Sequence, residues 1–288
     1  MRYFEYVEPK DLNDTCQFLS RNEGAKVLAG GASLVVLLKN NLVSPSHLVN
    51  LKTISGLDTI RWDDREGLRI GPLNRHRDIL SSPLVQKYCS ILAEAASKIA
   101  TPPIRNMGTI GGNLCHAEPS ADFPPALIAL GAKLKLISSK GERIVPIEEF
   151  FVDFYETVLS ESEILVEIKI PPLPPRSGGT YIKLDKVTNS IAIVGVASII
   201  SLDEKGICTF AGVGLGGVGS TPLKVEKAKE ILLGKKIEEN HIDQVAKEAQ
   251  FISNPITNVY ASAEYRKEMV YVLTQRALKE SLKRALKR

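Results

Sequence analysis

Apolar positions along the chain change period several times, and each change marks a new element. Tyr3 to Val7 reads as a short strand, and Leu12, Cys16 and Leu19 then recur at helical spacing within Asp11 to Ser20. Lys26-Val27-Leu28-Ala29 returns to a strand pattern, Leu34 to Asn41 to a helical one, and His47 to Leu51 to a strand. The opening therefore predicts a βαβαβ unit. Thr59 to Trp62 and Leu68 to Gly71 pair as strands around Asp63-Asp64. Helices are predicted over Arg75 to Leu80 and over Leu84 to Ile99, the latter with Val85, Ile91, Leu92 and Ala95 on its apolar positions. A helix over Phe123 to Leu130 precedes strands at Lys133 to Ser138 and Arg143 to Val145, and Glu163 to Ile170 alternates as a strand.

The stretch from Pro171 to Gly179 is rich in proline and then glycine, the composition of a linker. It places a domain boundary between residues 1–175, with subdomains of about 1–55 and 56–175, and residues 176–288. Beyond it, Thr180 to Lys186, Ile191 to Leu202 and Ile207 to Leu215 read as three strands joined by short turns, hence an antiparallel sheet. Helices over Lys224 to Leu233, His241 to Phe251 and Ala263 to Lys287 follow. Strands followed by helices make this an α+β fold.

Composition narrows the class. A chain of 288 residues with 44% hydrophobic and 24% charged residues is globular and large enough for a substantial core. Its net charge of +4 is dispersed, which gives no nucleic-acid footprint. The one basic run, Lys279 to Arg288, lies on a helical pattern and reads as a solvated face, with an acidic partner as the alternative. Cys16, Cys89, Cys115 and Cys208 are too scattered for a CxxC or an iron–sulfur run and suit a reducing cytoplasm. No apolar run is long enough to span a bilayer, so membrane insertion is not expected.

The chemistry concentrates in two glycine motifs. Gly30-Gly31-Ala32-Ser33 follows a strand and precedes a helix, the arrangement that offers free N–H groups and a positive dipole end to a phosphate. Thr109-Ile110-Gly111-Gly112-Asn113 is a second glycine turn, flanked by hydrogen-bonding side chains. Two such loops can each hold one side of a pyrophosphate, which points to a dinucleotide. On this reading Gly111→Val abolishes cofactor retention, because a Cβ blocks backbone approach to the ligand.

An AGGxS loop paired with TIGGN and a following Asp122 resembles the FAD-binding medium subunits of the molybdenum hydroxylases. The resemblance runs almost end to end, through Arg105-Asn106-Met107-Gly108, Pro124-Pro125-Ala126-Leu127, Leu130-Gly131-Ala132, Glu163-Ile164-Leu165, Tyr181-Ile182-Lys183, Thr221-Pro222 and Ser262-Ala263-Glu264-Tyr265-Arg266. It implies a two-part PCMH-type FAD-binding domain, then a three-stranded antiparallel sheet with a helical bundle. It implies FAD as cofactor, an iron–sulfur small subunit and a molybdopterin large subunit as partners, and transfer of electrons to NAD+, quinone or oxygen. The implied cofactor-binding residues are Val27, Leu28, Ala29, Gly30, Gly31, Ala32, Ser33 and Leu34 from the first motif. Thr109, Ile110, Gly111, Gly112 and Asn113 come from the second. Asp122, Leu165 and Lys183 would serve the ribityl and ring end, with no catalytic side chain and no protein-bound metal in this chain. A self-contained flavin oxidase or reductase, and a non-catalytic scaffold, stay open as rivals.

Other features compete with this reading. Gly214-Leu215-Gly216-Gly217-Val218-Gly219 spells a dinucleotide fingerprint, yet Thr221 reads as an N-cap with Pro222 at the first helical position, so the helix starts too late for one. His116 beside Cys115 is read as structural or flavin-neighbouring, and His47, His76 and His241 as ordinary surface or strand-end residues. Tyr155 and Tyr181 are candidates to stack on a ring, against a plain core role. Some relatives carry an Arg-Arg-x-x-Asp-like stretch after the matching lysine; Lys186-Val187-Thr188-Asn189-Ser190 departs from it.

Overall fold

A computed structural model describes residues 2–288. The opening unit is a three-stranded parallel sheet in the order β1-β3-β2, built from β1 (Glu5–Val7), β2 (Lys26–Leu28) and β3 (His47–Asn50), with α1 (Leu12–Arg21) and α2 (Leu34–Lys39) as crossovers. Asp11 caps α1 by accepting from the Asp14 N–H at 2.8 Å, and Cys16 and Leu19 are buried from its apolar stripe.

The chain then runs through β4 (Ile60–Asp63), β5 (Gly67–Ile70), α3 (His76–Ser81), α4 (Pro83–Tyr88), α5 (Ser90–Lys98), α6 (Pro102–Met107), α7 (Ile110–His116) and α8 (Phe123–Ala129). β6 (Lys133–Ser138), β7 (Gly141–Pro146), the small hairpin β8 (Phe151–Asp153) and β9 (Glu156–Thr157), and β10 (Ile164–Ile170) follow. Five of these strands form an antiparallel sheet in the order β4-β5-β10-β6-β7. The single helix expected over 84–99 is two. Cys89 leaves helical geometry at φ −142°, ψ 50°, and the break lets Tyr88 stack on Trp62 with ring centroids 3.6 Å apart.

The last part comprises β11 (Ser177–Leu184), β12 (Val194–Leu202), β13 (Cys208–Gly216), β14 (Leu223–Lys224), α9 (Lys227–Leu232), α10 (Glu239–Ile252) and α11 (Ala263–Leu286). The sheet is antiparallel in the order β11-β12-β13-β14, one short strand more than expected. That extra strand corrects the Thr221-Pro222 reading: both precede β14, and the helix begins only at Lys227. Ser177 to Gly179 likewise belong to β11 and not to a linker. All nine residues of β12 are buried, because α8 covers one face and α11 the other. The glycines of the false fingerprint serve this packing. A side chain on Gly214 would drive into the main-chain carbonyl of Pro125 on α8, and one on Gly216 into the Pro125 ring.

Glu94 of α5 ties the last sheet and helix to the first part. Its carboxylate accepts from the Thr180 hydroxyl at 3.1 Å and the Tyr181 N–H at 3.0 Å, and it pairs with Arg284 of α11. Arg284 comes from the basic run at the end of the sequence, so that run is only partly a solvated face. Among the described residues no helix is long and apolar enough to cross a membrane.

Candidate cofactor site

Two glycine segments far apart in sequence meet in space. β2 carries Val27 and Leu28, both half-buried, into the turn Ala29-Gly30-Gly31-Ala32-Ser33, and α2 begins at Leu34. Gly31 takes φ +79°, a conformation that favours glycine. A side chain on Gly30 would collide with the carbonyl of Met107 at the end of α6, so only glycine lets the two segments touch. A Cβ on Gly112 would stand 3.9 Å from the Cβ of Ala29.

The first segment keeps its donors free. The Val35 N–H is taken by the Gly31 carbonyl at 3.1 Å. Among the described residues, no protein acceptor takes the N–H groups of Gly30, Gly31, Ala32, Ser33 or Leu34. A run of adjacent unpaired amides at a turn is a concavity for an anion.

The second segment is built differently from the expectation. Thr109 to Asn113 is no loop: Thr109 caps α7, its Oγ1 accepting from the Gly112 N–H at 3.1 Å, and the glycines fill the first helical turn. The Ile110 N–H goes to the Asn74 carbonyl and the Gly111 N–H to the Pro72 carbonyl, each at 2.9 Å. With the Asn113 N–H held by the Thr109 carbonyl at 2.9 Å, four amides expected to face a phosphate are thus engaged by the protein. Gly111 is buried, and a side chain on it would meet Pro72, so its bareness serves packing and not ligand approach. Gly112 faces the first loop instead. Asn113 contributes an Oδ1 that is buried with no partner among the described residues, an acceptor awaiting a donor.

Asp122 opens α8 without capping it. Its Oδ1 accepts from the Tyr181 hydroxyl at 2.6 Å and its Oδ2 from Lys183 Nζ at 3.0 Å. Lys183 also donates to the carbonyl of Lys98, at the end of α5, at 2.9 Å. The two charged side chains are only 2% and 6% exposed, which makes this a buried ion pair. Burial pushes the Asp122 carboxyl up to about 6, although Lys183 and Tyr181 favour its charged form. Burial and the neighbouring carboxylate hold the Tyr181 hydroxyl well above its usual value.

Leu165 is a buried core residue of β10, the strand against which α7 packs. Tyr181 is also buried, and its hydroxyl is committed to Asp122. Tyr155, at φ +57°, is exposed at the β8–β9 tip, where its hydroxyl meets Glu118 and its ring lies 5.3 Å from that of His116. His76 is not a surface residue. It is 4% exposed beneath Gly108, its main-chain N–H donates to the Gly108 carbonyl at 3.0 Å, and its ring stands edge-on to Phe123. Burial, with Arg105 nearby, lowers it to about 4, so the ring is neutral. No spacing in the sequence signals this role; only the fold brings His76 under the α6–α7 junction.

Residues 2–173 match the FAD-binding domain of molybdopterin dehydrogenases, and residues 180–281 match the carbon monoxide dehydrogenase flavoprotein C-terminal domain. The chain belongs to the FAD-binding medium subunits of the molybdenum hydroxylases. It is 36% identical over 98% of its length to the alpha subunit of the 6-hydroxypseudooxynicotine dehydrogenase complex of Paenarthrobacter nicotinovorans, covering 95% of that protein. It is 33% identical to the carbon monoxide dehydrogenase medium chain of Afipia carboxidovorans, over 98% of both chains. A chain of the solved carbon monoxide dehydrogenase of Hydrogenophaga pseudoflava superposes with a TM-score of 0.94 at 34% identity, over 98% of both chains. These medium subunits are FAD-binding oxidoreductase components, and FAD is the cofactor of this chain.

Proposed function

We propose that this chain holds FAD between its two glycine segments and passes electrons from an iron–sulfur subunit to an external acceptor, while a molybdopterin subunit transforms the organic substrate. The observation that carries the reading is the run of free amides from Gly30 to Leu34 set against Gly112 and the unpartnered Asn113 Oδ1. A pyrophosphate needs several N–H donors and a close backbone; a sugar or ribityl hydroxyl can donate to Asn113. Ala29, Gly30, Gly31, Ala32 and Ser33, with Val27, Leu28 and Leu34 framing them, would hold the phosphates. Thr109, Ile110, Gly111, Gly112 and Asn113 would form the opposing wall, and Asp122, Leu165 and Lys183 the ring end. FAD, when bound, supplies the redox chemistry. The protein's own tasks are to bind, to orient and to set the local charge, and Lys183 is the cation placed to favour negative charge at the ring end.

The domain boundary at residue 175 fits this division: the proposed phosphate walls lie before it, and Lys183 reaches back across it to Asp122. Four unpaired cysteines accord with a cytoplasmic setting.

Rapid mixing of the assembled complex with its organic substrate tests the electron route. Flavin bleaching is expected only when the iron–sulfur subunit is present. Turnover of an organic substrate by this chain alone would favour a self-contained flavin enzyme.

A further inference from the structure

We infer that Asp122 acts on the cofactor through Lys183: the two form a charge-compensated pair, and the proton on Asp122 decides whether the ring end of the site carries a net positive charge. This rests on the proposed placement of that pair beside the flavin ring. Lys183 Nζ has two protein acceptors, the Lys98 carbonyl and the Asp122 carboxylate, which leaves one of its three protons undirected within the protein. The carboxylate has two donors, Tyr181 and Lys183, both from β11.

Apart from Asp185, the surrounding elements supply no rival countercharge. β12 and β13 carry no Asp, Glu, Lys, Arg or His. Lys224 of β14 is paired with Glu148 and Glu226, and Glu94 of α5 with Arg284. His116, at the end of α7, lies beside Tyr155, and Lys98 presents its carbonyl. Asp185, just past β11, adds negative potential and opposes ionisation of Asp122. Tyr181 stays protonated and is a fixed donor.

Asp122, pushed up to about 6, is then the group that changes charge near neutrality. Above that value the pair is neutral. Below it the carboxyl is protonated, the Lys183 charge is uncovered, and negative charge at the ring end is favoured more strongly. Asp122 is a positioning residue, since it works by holding and compensating Lys183.

Two readouts test this. Carboxyl-carbon NMR of the wild-type chain without cofactor should show one carboxyl titrating near 6, absent in Asp122→Asn. Carboxyls that all titrate in the ordinary range would overturn the inference. Spectroelectrochemistry of the FAD-loaded chain should show a midpoint potential that climbs more steeply as pH falls toward about 6 and loses that extra slope below it. Asp122→Asn should start from a higher potential at neutral pH and lack the bend; Lys183→Met should start lower and lack it too. Normal FAD content with parallel profiles in all three would overturn this inference alone. A wild-type chain that takes no FAD would overturn the proposed function along with it. If neither variant folds, the bend in the wild-type profile decides.

Discussion

Gly111 and Gly112 are neighbours with opposite duties. Gly111 lies against Pro72, so Gly111→Val should lower folding stability by about 1–3 kcal/mol through overpacking, with FAD loss as a consequence. Gly112→Val presses on the Thr109 hydroxyl that caps α7, a cost of about 1 kcal/mol, and points toward the first loop. It should fold and yet weaken FAD binding at least about tenfold, or ~1.4 kcal/mol. Urea unfolding and FAD titration of both variants separate the two effects; equal loss of stability in both would contradict the assignment. Asp122 and His76 also oppose each other. Asp122 is raised from 3.8 to about 6, so the folded chain keeps an extra proton between those values, and the stability from this group is lost as pH rises through 6. His76 is lowered from 6.5 to about 4, so its contribution is present above 6.5 and lost as pH falls toward 4. Each is worth ~3 kcal/mol over nearly the same window. Asp122→Asn should therefore uncover the His76 loss, and unfolding free energy should drop by ~2 kcal/mol between pH 7 and about 4.5. A variant whose stability is no more acid-sensitive than wild type would argue against this balance.

At the scale of elements, the helix α7 is the instructive case. A glycine pair has poor helix propensity, and the sequence reads it as a turn. What stabilises helix there is the Thr109 cap together with the carbonyls of Asn74 and Pro72, brought in by a segment some way upstream. Thr109→Ala should cost about 1 kcal/mol by the loss of the cap, and Thr109→Ser should restore it, as measured by thermal unfolding without cofactor. The βαβαβ opening was legible because glycine and proline punctuate each change of period. The convergence of the two glycine segments was legible as motif chemistry, but their different construction was not. The Asp122–Lys183 pair joins residues 61 apart, and the burial of His76 follows from tertiary packing; neither leaves a local pattern. β14 was missed because a two-residue strand has no periodicity to read.

Over the whole molecule, Glu94 is the point where three segments join. Removing it leaves the Tyr181 N–H and the Thr180 hydroxyl without their acceptor and Arg284 with Glu280 alone. Glu94→Ala should destabilise the chain by about 1–3 kcal/mol and loosen β11, seen as faster amide exchange along that strand. Unchanged exchange there would show that packing alone holds the sheet in place. The central claim is that the molecule is built around one dinucleotide. Its most direct test is the absorption spectrum of the purified chain, with the released cofactor identified by chromatography and FMN offered in competition. The account predicts one FAD per chain and far weaker retention of FMN, because the free amides of Gly30 to Leu34 act on the pyrophosphate. A colourless chain that refuses added FAD, or one that takes FMN equally well, would contradict it.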